Sequence, residues 1–130
     1  MATELNEVKT ITKANIVQRV HEELEREKHS GEKGISKKES AKLVDMVFQT
    51  IKDQIQHLRH ELNTEIDSGL IDEAKRERRL KISGFGNFIV RHKGERVGRN
   101  PKNGKRIKIS SRYVLTFKPS QVLKKAINEN

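Results

Sequence analysis

The sequence lacks cysteine and tryptophan, and it contains only two prolines and five aromatic residues in 130 positions. Without cysteine the chain forms neither a disulfide framework nor a thiolate metal site, which suits the reducing cytoplasm. No run of about 18 apolar residues occurs, so we expect no membrane-spanning helix. The N-terminus carries Glu4 and Glu7 and no apolar segment, so we expect no secretion signal.

Catalytic and cofactor motifs are also missing. No Ser/His/Asp constellation or carboxylate pair stands out among the many acidic residues, so we predict that the protein is not an enzyme. Gly84-Phe85-Gly86 lacks the third glycine of a dinucleotide fingerprint, so no cofactor is predicted. His57 and His60 stand three positions apart without a third ligand, so no metal site is predicted.

Positive charge is concentrated in one part of the chain. The formal net charge is +10, and the segment from Arg78 to Lys125 holds 15 Lys and Arg residues against one acid, Glu95. The 13 basic and 17 acidic residues elsewhere leave the rest of the chain with a net charge of −4. A contiguous region of one sign is the footprint expected of a protein that binds nucleic acid.

The segment Arg96–Arg106 is the most basic stretch, with five cations, two glycines and Pro101. The residues before and after it alternate like strands, so we interpret it as the tip of a two-stranded ribbon. Burying so many unpaired cations costs too much, so the tip lies in water or on a polyanion. Arginines suit a narrow minor groove. Pro101 either shapes the turn or acts as a rigid apolar wedge between base pairs, and the residues alone favour the turn.

The aromatic residues argue for a duplex partner. Binders of RNA and of single strands present aromatic rings for base stacking. The five rings here stand on apolar helical or strand patterns, so we predict that they belong to the core, which leaves recognition of duplex DNA through charge and groove shape. Two alternatives stay open: a ribosomal or other protein that binds structured RNA, and a protein whose basic face binds an acidic protein.

Periodicity predicts an α+β domain. Residues 1–11 are a predicted tail, a first helix is expected near 13–28 with Thr12 as its cap, and 29–34 form a predicted turn. Ser36 and Glu39 form a capping box for a second helix. Its apolar stripe is predicted to be the main core element and the main dimer contact, because a chain that is only 32% hydrophobic completes its core by association. The stripe consists of Val44, Val47, Phe48, Ile51, Ile55, Leu58 and Leu62.

The second half alternates between breaks and strands. Asp67-Ser68-Gly69 predicts a helix end followed by a short helix near 70–77, with a single bent helix as the alternative. Two alternating segments flank the turn Gly84–Asn87, and two more follow the basic tip, which predicts a three-stranded antiparallel sheet whose last two strands extend as the ribbon. Pro119 ends the last strand and opens a third helix near 120–128.

Three motifs together resemble one family. These are Ser83-Gly84-Phe85-Gly86-Asn87-Phe88, then Arg96-Val97-Gly98-Arg99-Asn100-Pro101, then Phe117-Lys118-Pro119 with Leu123-Lys124 after it. In spacing and element order they resemble the bacterial HU/integration host factor family of DNA-bending proteins, from about residue 12 to 128. The resemblance implies an intertwined dimer with a helical base, a short saddle-shaped sheet and an extended β-ribbon arm at about 91–108.

The resemblance also implies a function and a site. It implies an architectural, nucleoid-associated protein of the cytoplasm that binds the minor groove of double-stranded DNA as a homodimer, or as a heterodimer with a paralogous subunit, and bends or compacts the DNA. Pro101 would be the intercalating wedge. The minor-groove residues would be Arg96, Arg99, Asn100 and Lys102. The phosphate-binding residues would be Lys81, Ser83, Gly84, Gly86, Arg91, Lys93, Lys105, Arg106, Lys108, Arg112, Lys118, Lys124 and Lys125.

The sequence departs from the family pattern in two ways. Asn103 stands where the family commonly has threonine, and both residues can hydrogen-bond within a turn. The larger departure is surplus length near 25–34 and 59–79 within a single predicted domain over 12–130. The second insertion would extend the DNA contact, limit wrapping or bind a partner, and the sequence does not choose among these.

Overall fold

The computed structural model describes residues 9–69, 72 and 76–129. The chain folds as two compact units, residues 1–51 and residues 52–130. The single domain over 12–130, its tail and its insertions therefore stay predictions. No helix among the described residues has the length and apolarity needed to cross a bilayer.

The three helices begin and end close to their expected positions. Helix α1 spans Lys13–Glu27, α2 spans Lys37–Asp67 and α3 spans Gln121–Asn128. The Thr12 amide donates to Oδ1 of Asn15 at 2.9 Å, which caps the start of α1.

The predicted cap before α2 and the predicted break after it are both seen. The Glu39 amide donates to Oγ of Ser36 at 3.1 Å, so Ser36 caps the helix as predicted. Helix α2 ends at Asp67, and the Gly69 amide donates to the carbonyl of Ile66 at 3.0 Å. The predicted short helix near 70–77 lies largely outside the described residues. At its end it is wrong, because Glu77 already begins a strand.

The apolar stripe of α2 is buried only in part. Val44 and Leu62 are buried, and Leu62 has no exposed surface. Val47 and Phe48, by contrast, are 58% and 39% exposed. Val47 and Phe48 therefore lie outside the core of the single chain, and their role in a dimer contact stays a prediction. A helix face of this kind is covered when a second chain is present.

Five strands form two antiparallel sheets. Their bounds are β1, Glu77–Ile82; β2, Gly86–Lys93; β3, Arg96–Arg99; β4, Arg106–Ile109; and β5, Arg112–Pro119. The first sheet has the strand order β1-β2-β5, and β3 pairs with β4 in the second. The predicted three-stranded antiparallel sheet and the two-stranded ribbon are both confirmed, but the prediction that the last two strands of the sheet continue unbroken into the ribbon is wrong. The ribbon is a separate pair of strands, and we call Arg96–Ile109 the arm.

Backbone hydrogen bonds join the turn between β1 and β2 to the start of α3. The Phe85 amide donates to the carbonyl of Ile82 at 3.0 Å, and the Phe85 carbonyl accepts from the Ser120 amide at 2.9 Å. Oγ of Ser120 caps α3 by accepting from the Leu123 amide at 3.1 Å. The prediction that Pro119 opens α3 is wrong, because Pro119 is the last residue of β5 and Ser120 is the cap.

Candidate nucleic-acid interface

The register of the first sheet sorts its side chains onto two faces. Residues directly opposite each other in neighbouring antiparallel strands point to the same side, and successive residues alternate. Lys81 is paired with Asn87, which is paired with Lys118, so these three share one face. The same pairing and alternation place five predicted phosphate-binding residues on that face. We call this the basic face, and these residues are Lys81, Arg91, Lys93, Arg112 and Lys118.

The opposite face is apolar. Phe88 is paired with Phe117, and their ring centroids lie 5.0 Å apart. Phe85 extends this cluster from the turn, with its centroid 5.1 Å from that of Phe117. The strand aromatics Phe88, Tyr113 and Phe117 all lie on this side, so the basic face carries no ring for base stacking. Phe117 and Phe85 are 39% and 44% exposed, however, so their assignment to a core is wrong for the single chain.

One acid lies among the cations of the basic face. Glu77 accepts a hydrogen bond from Nη2 of Arg91 at 2.7 Å and another from Nη2 of Arg79 at 2.8 Å. These bonds from Arg91 and Arg79 hold the pKa of Glu77 below its ordinary value. Arg79 was not among the predicted residues, although its two-residue spacing from Lys81 places both on the same face of a strand.

The predicted insertion at 59–79 contains a further ion pair. Nη2 of Arg78 bonds to Oε2 of Glu65, near the end of α2. Arg78 and Arg79 thus each have a carboxylate partner within the chain. Arg112 differs from the other cations of the basic face, because it is half-buried and its Nη1 has no hydrogen-bond partner among the described residues.

The turn at the end of the arm is shorter than the predicted tip. Strand pairing continues to Arg99 and Arg106, so the turn itself is 100–105. The amide of Asn100 donates to the carbonyl of Lys105 at 2.9 Å, and the amide of Gly104 donates to the carbonyl of Asn100 at 2.8 Å. Gly104 has φ of +68°, a conformation that glycine adopts without strain.

Two asparagine side chains brace this turn. Oδ1 of Asn100 accepts from the Lys102 amide at 2.9 Å, and Oδ1 of Asn103 accepts from the Lys105 amide at 3.0 Å. The expectation that Asn103 hydrogen-bonds within the turn is confirmed. Pro101 is exposed between the two braces. The turn therefore presents a rigid apolar ring to solvent.

The strands of the arm also have two different sides. Arg99 is paired with Arg106 and Val97 with Lys108, so the three cations share one side of the ribbon. Arg96 lies on the other side, opposite Ile109. Oε1 of Glu95 lies 3.1 Å from Nζ of Lys108 at the start of the arm.

The remaining predicted residues lie at one end of the first sheet, where the turn between β1 and β2 meets the start of α3, or on α3 itself. Ser83 and Gly84 are exposed in the turn between β1 and β2, and Lys124 and Lys125 are exposed on α3. Gly86 is buried, and its position is set by the close approach of β5. Among the described residues no cluster of three or more His, Asp or Glu side chains could hold a metal ion.

This fold and site define a class: a small α+β protein with a cationic sheet face and a basic, proline-tipped arm. Residues 60–128 match the family described as bacterial DNA-binding protein. The chain is 47% identical over 118 residues to integration host factor subunit alpha of Anaeromyxobacter sp. strain Fw109-5, with 91% of each chain covered. It is 46% identical to the subunit of that name from Myxococcus xanthus, covering 91% of this chain and 70% of the relative.

The chain therefore belongs to the bacterial DNA-binding protein family, which includes HU and integration host factor. The predicted recognition is confirmed, as are DNA binding and the absence of an enzymatic role. A chain from an Anabaena HU–DNA cocrystal structure has the same fold, with a TM-score of 0.51 at 21% identity, and the match covers 92% of this chain and all of the other.

Proposed function

We propose that this protein acts as a dimer that lays its arms in the minor groove of duplex DNA and bends the duplex at each Pro101. The observation that carries this proposal is the braced turn at 100–105, which holds Pro101 exposed at the end of a cationic ribbon. An apolar wedge inserts between base steps only if its support does not yield.

The cations of the interface and the Pro101 wedge contribute differently to binding. The basic face and the arm cations would neutralise phosphates, so log K should fall with log salt by about 0.9 for each phosphate neutralised. The wedge would add little to affinity by itself, because bending a site costs of order 1–6 kcal/mol that the additional contacts must offset. Affinity and bending are therefore separable by mutation.

The apolar surface left open by the single chain supports the dimer. Val47 on α2 and Leu115 on β5 are more than half exposed, and Ile127 on α3 is 72% exposed. Isolated proteins rarely expose so many large apolar side chains. The Anaeromyxobacter relative is named as a subunit, and we extend that property to this chain. Light scattering of the purified chain would decide between a homodimer and a chain that requires a different partner.

We propose that the protein lies with bacterial DNA in the nucleoid, and its membership of a DNA-binding family supports this location. Fluorescence microscopy of a tagged chain should show it coincident with a DNA stain. Uniform cytoplasmic fluorescence would contradict nucleoid association.

Fluorescence transfer across an end-labelled duplex tests the wedge. Pro101→Ala should lengthen the end-to-end distance of the bound DNA while changing affinity little, and Arg99→Ala should reduce both bending and affinity. Pro119→Ala is the matched control, because it removes the chain's other proline at the end of β5, outside the arm. Equal end-to-end distances with the wild type and Pro101→Ala would remove the wedge from the mechanism.

A competition assay tests the choice of nucleic acid. Duplex DNA should displace a labelled duplex at a lower concentration than duplex RNA of the same sequence at physiological salt. Equal displacement by RNA would contradict selectivity for DNA.

A further inference from the structure

Tyr113 lies at the point where the first sheet ends and the arm begins. It is the second residue of β5, and its partner in the register is His92, one residue before the end of β2. The residues between the two sheets, at 94–95 and 110–111, belong to no strand. The side chains of this last part of the sheet therefore determine how firmly the arm is held.

Three contacts fix the Tyr113 side chain. Its hydroxyl donates to Oδ1 of Asn63 at 2.6 Å. The guanidinium carbon of Arg59 lies 4.8 Å from the centroid of the ring, within the range of a cation–π interaction. The centroids of the His92 and Tyr113 rings lie 5.0 Å apart, and the two rings are inclined at 62° to each other. A half-buried aromatic ring is thus held by its hydroxyl and by two contacts to the ring.

The helical partners come from one side of α2. Arg59 and Asn63 are four residues apart, so they are neighbours on one helix face. Nδ2 of Asn63 lies 3.4 Å from Oδ2 of Asp67, which turns Oδ1 of Asn63 toward the tyrosine hydroxyl. All three residues lie in the last turns of α2, within the surplus length predicted at 59–79.

The insertion also reaches the other strand that leads to the arm. The His92 amide donates to the carbonyl of Arg76 at 2.9 Å. This bond lies one position beyond Glu77 and Arg91, which are the last pair between β1 and β2. The strands that enter and leave the arm are therefore both attached to residues of the insertion, one through its backbone and one through a side chain.

From these contacts we infer that the end of α2 anchors the arm through Tyr113, and that this anchor sets DNA affinity by limiting the motion of the arm before binding. We call Arg59, Asn63, His92 and Tyr113 the arm anchor. Tyr113 is a positioning residue that acts through the arm. The effect on affinity rests on the proposed function, whereas the effect on arm motion does not. An arm held in place loses less conformational freedom when it binds.

Tyr113→Phe removes the hydroxyl and keeps the ring, so the protein keeps its fold. The variant should weaken binding of the full chain to a duplex of about 30 base pairs by about three- to tenfold, the range for loss of one ordinary hydrogen bond. The salt dependence of binding should not change, because no phosphate contact is lost. Asn63→Ala should have the same effect, and the double variant should be no weaker than either single variant, since both remove one bond.

The motion of the arm can be measured without DNA. The chain has no cysteine, so Lys102→Cys at the tip and Gln56→Cys on α2 supply two unique sites for spin labels. With labelled chains diluted into unlabelled ones, pulsed EPR gives the distribution of distances between tip and helix. That distribution should broaden when Tyr113→Phe is added. Thr64→Ala is the control, because among the described residues its hydroxyl bonds only to the His60 carbonyl within α2.

The inference requires both results: a broader distribution without DNA and weaker binding with an unchanged salt slope. An unchanged distribution overturns the anchor, and a broader one with unchanged affinity overturns its role in binding. An equal effect of Thr64→Ala also overturns the inference, because that substitution leaves Tyr113 untouched. If the wild type itself fails to bind duplex DNA, the proposed function fails, while the distance distribution still tests the anchor.

Discussion

Gly86 begins β2, where β5 leaves no room for a side chain, and we predict that its replacement by alanine destabilises the protein. A Cβ atom on Gly86 would lie 2.5 Å from the carbonyl oxygen of Lys118 and 2.7 Å from two ring carbons of Phe117. Comfortable contacts between heavy atoms begin at about 3.5 Å, so β5 and the ring must each move by nearly an ångström.

The free energy of unfolding that Gly86→Ala loses depends on how firmly β5 and the Phe117 ring are held. Lys118 is held in the sheet by its pairing with Asn87, and Phe117 packs against Phe85 and Phe88. Overpacking of this kind costs about 1–3 kcal/mol. For a domain of this size each kcal/mol lowers Tm by about 4 °C, so we expect a decrease of about 4–12 °C.

Thermal unfolding followed by circular dichroism measures the effect, at one protein concentration because a dimer's stability depends on it. The matched control is Gly84→Ala, where a Cβ meets open space but φ is +76°, so only backbone strain is added. Phe117→Leu should partly rescue Gly86→Ala and should not rescue Gly84→Ala. The steric reasoning is refuted if Gly86→Ala has the Tm of the wild type. It is also refuted if Phe117→Leu changes Tm by the same amount in the Gly86→Ala and the Gly84→Ala backgrounds.

Two further substitutions test the ion pairs and the core. Glu77→Gln should destabilise the protein by about 0.5–1 kcal/mol at neutral pH, the range for a paired surface carboxylate. Pairing lowers the pKa of Glu77 in the folded protein below its ordinary value of 4.5. The stabilisation by this pairing is therefore present above pH 4.5 and is lost as the pH falls through the folded pKa. The free energies of unfolding of wild type and variant should converge in urea titrations at acid pH. Leu62→Ala empties a site with no solvent exposure and should cost about 2–5 kcal/mol in the same titrations, whereas Leu43→Ala, at an exposed position of α2, should cost much less. Equal costs would contradict the burial of Leu62.

Local signals in the sequence were sufficient to predict most of the elements. Capping at Ser36, the break at Asp67 and the alternation around the turn Gly84–Asn87 each arise from interactions among near neighbours, and each was confirmed. The concentration of positive charge needs no structure to be seen. The family could be recognised because its motifs are short and contiguous.

The predictions failed where distant residues decide the outcome. The periodicity of α2 shows which residues share a face, but not that Val47 and Phe48 remain uncovered in a single chain. The surplus residues at 59–79 gave no signal for their role, because the contacts of Asn63 and Arg76 are made to residues about 50 and 16 positions away. Arg79 was missed because β1 begins at Glu77, three residues before the alternation that is visible in the sequence.

The sequence by itself determined the order of helices and strands, the basic character of residues 78–125 and the proline at the end of the ribbon, because periodicity, net charge and turn chemistry are local. Only the tertiary structure decided which cations share a face, how two asparagines brace the turn beneath Pro101 and which residues hold the arm. Those properties depend on strand register and on side chains brought together across the fold. Register and packing are set by the whole chain rather than by any one segment of it.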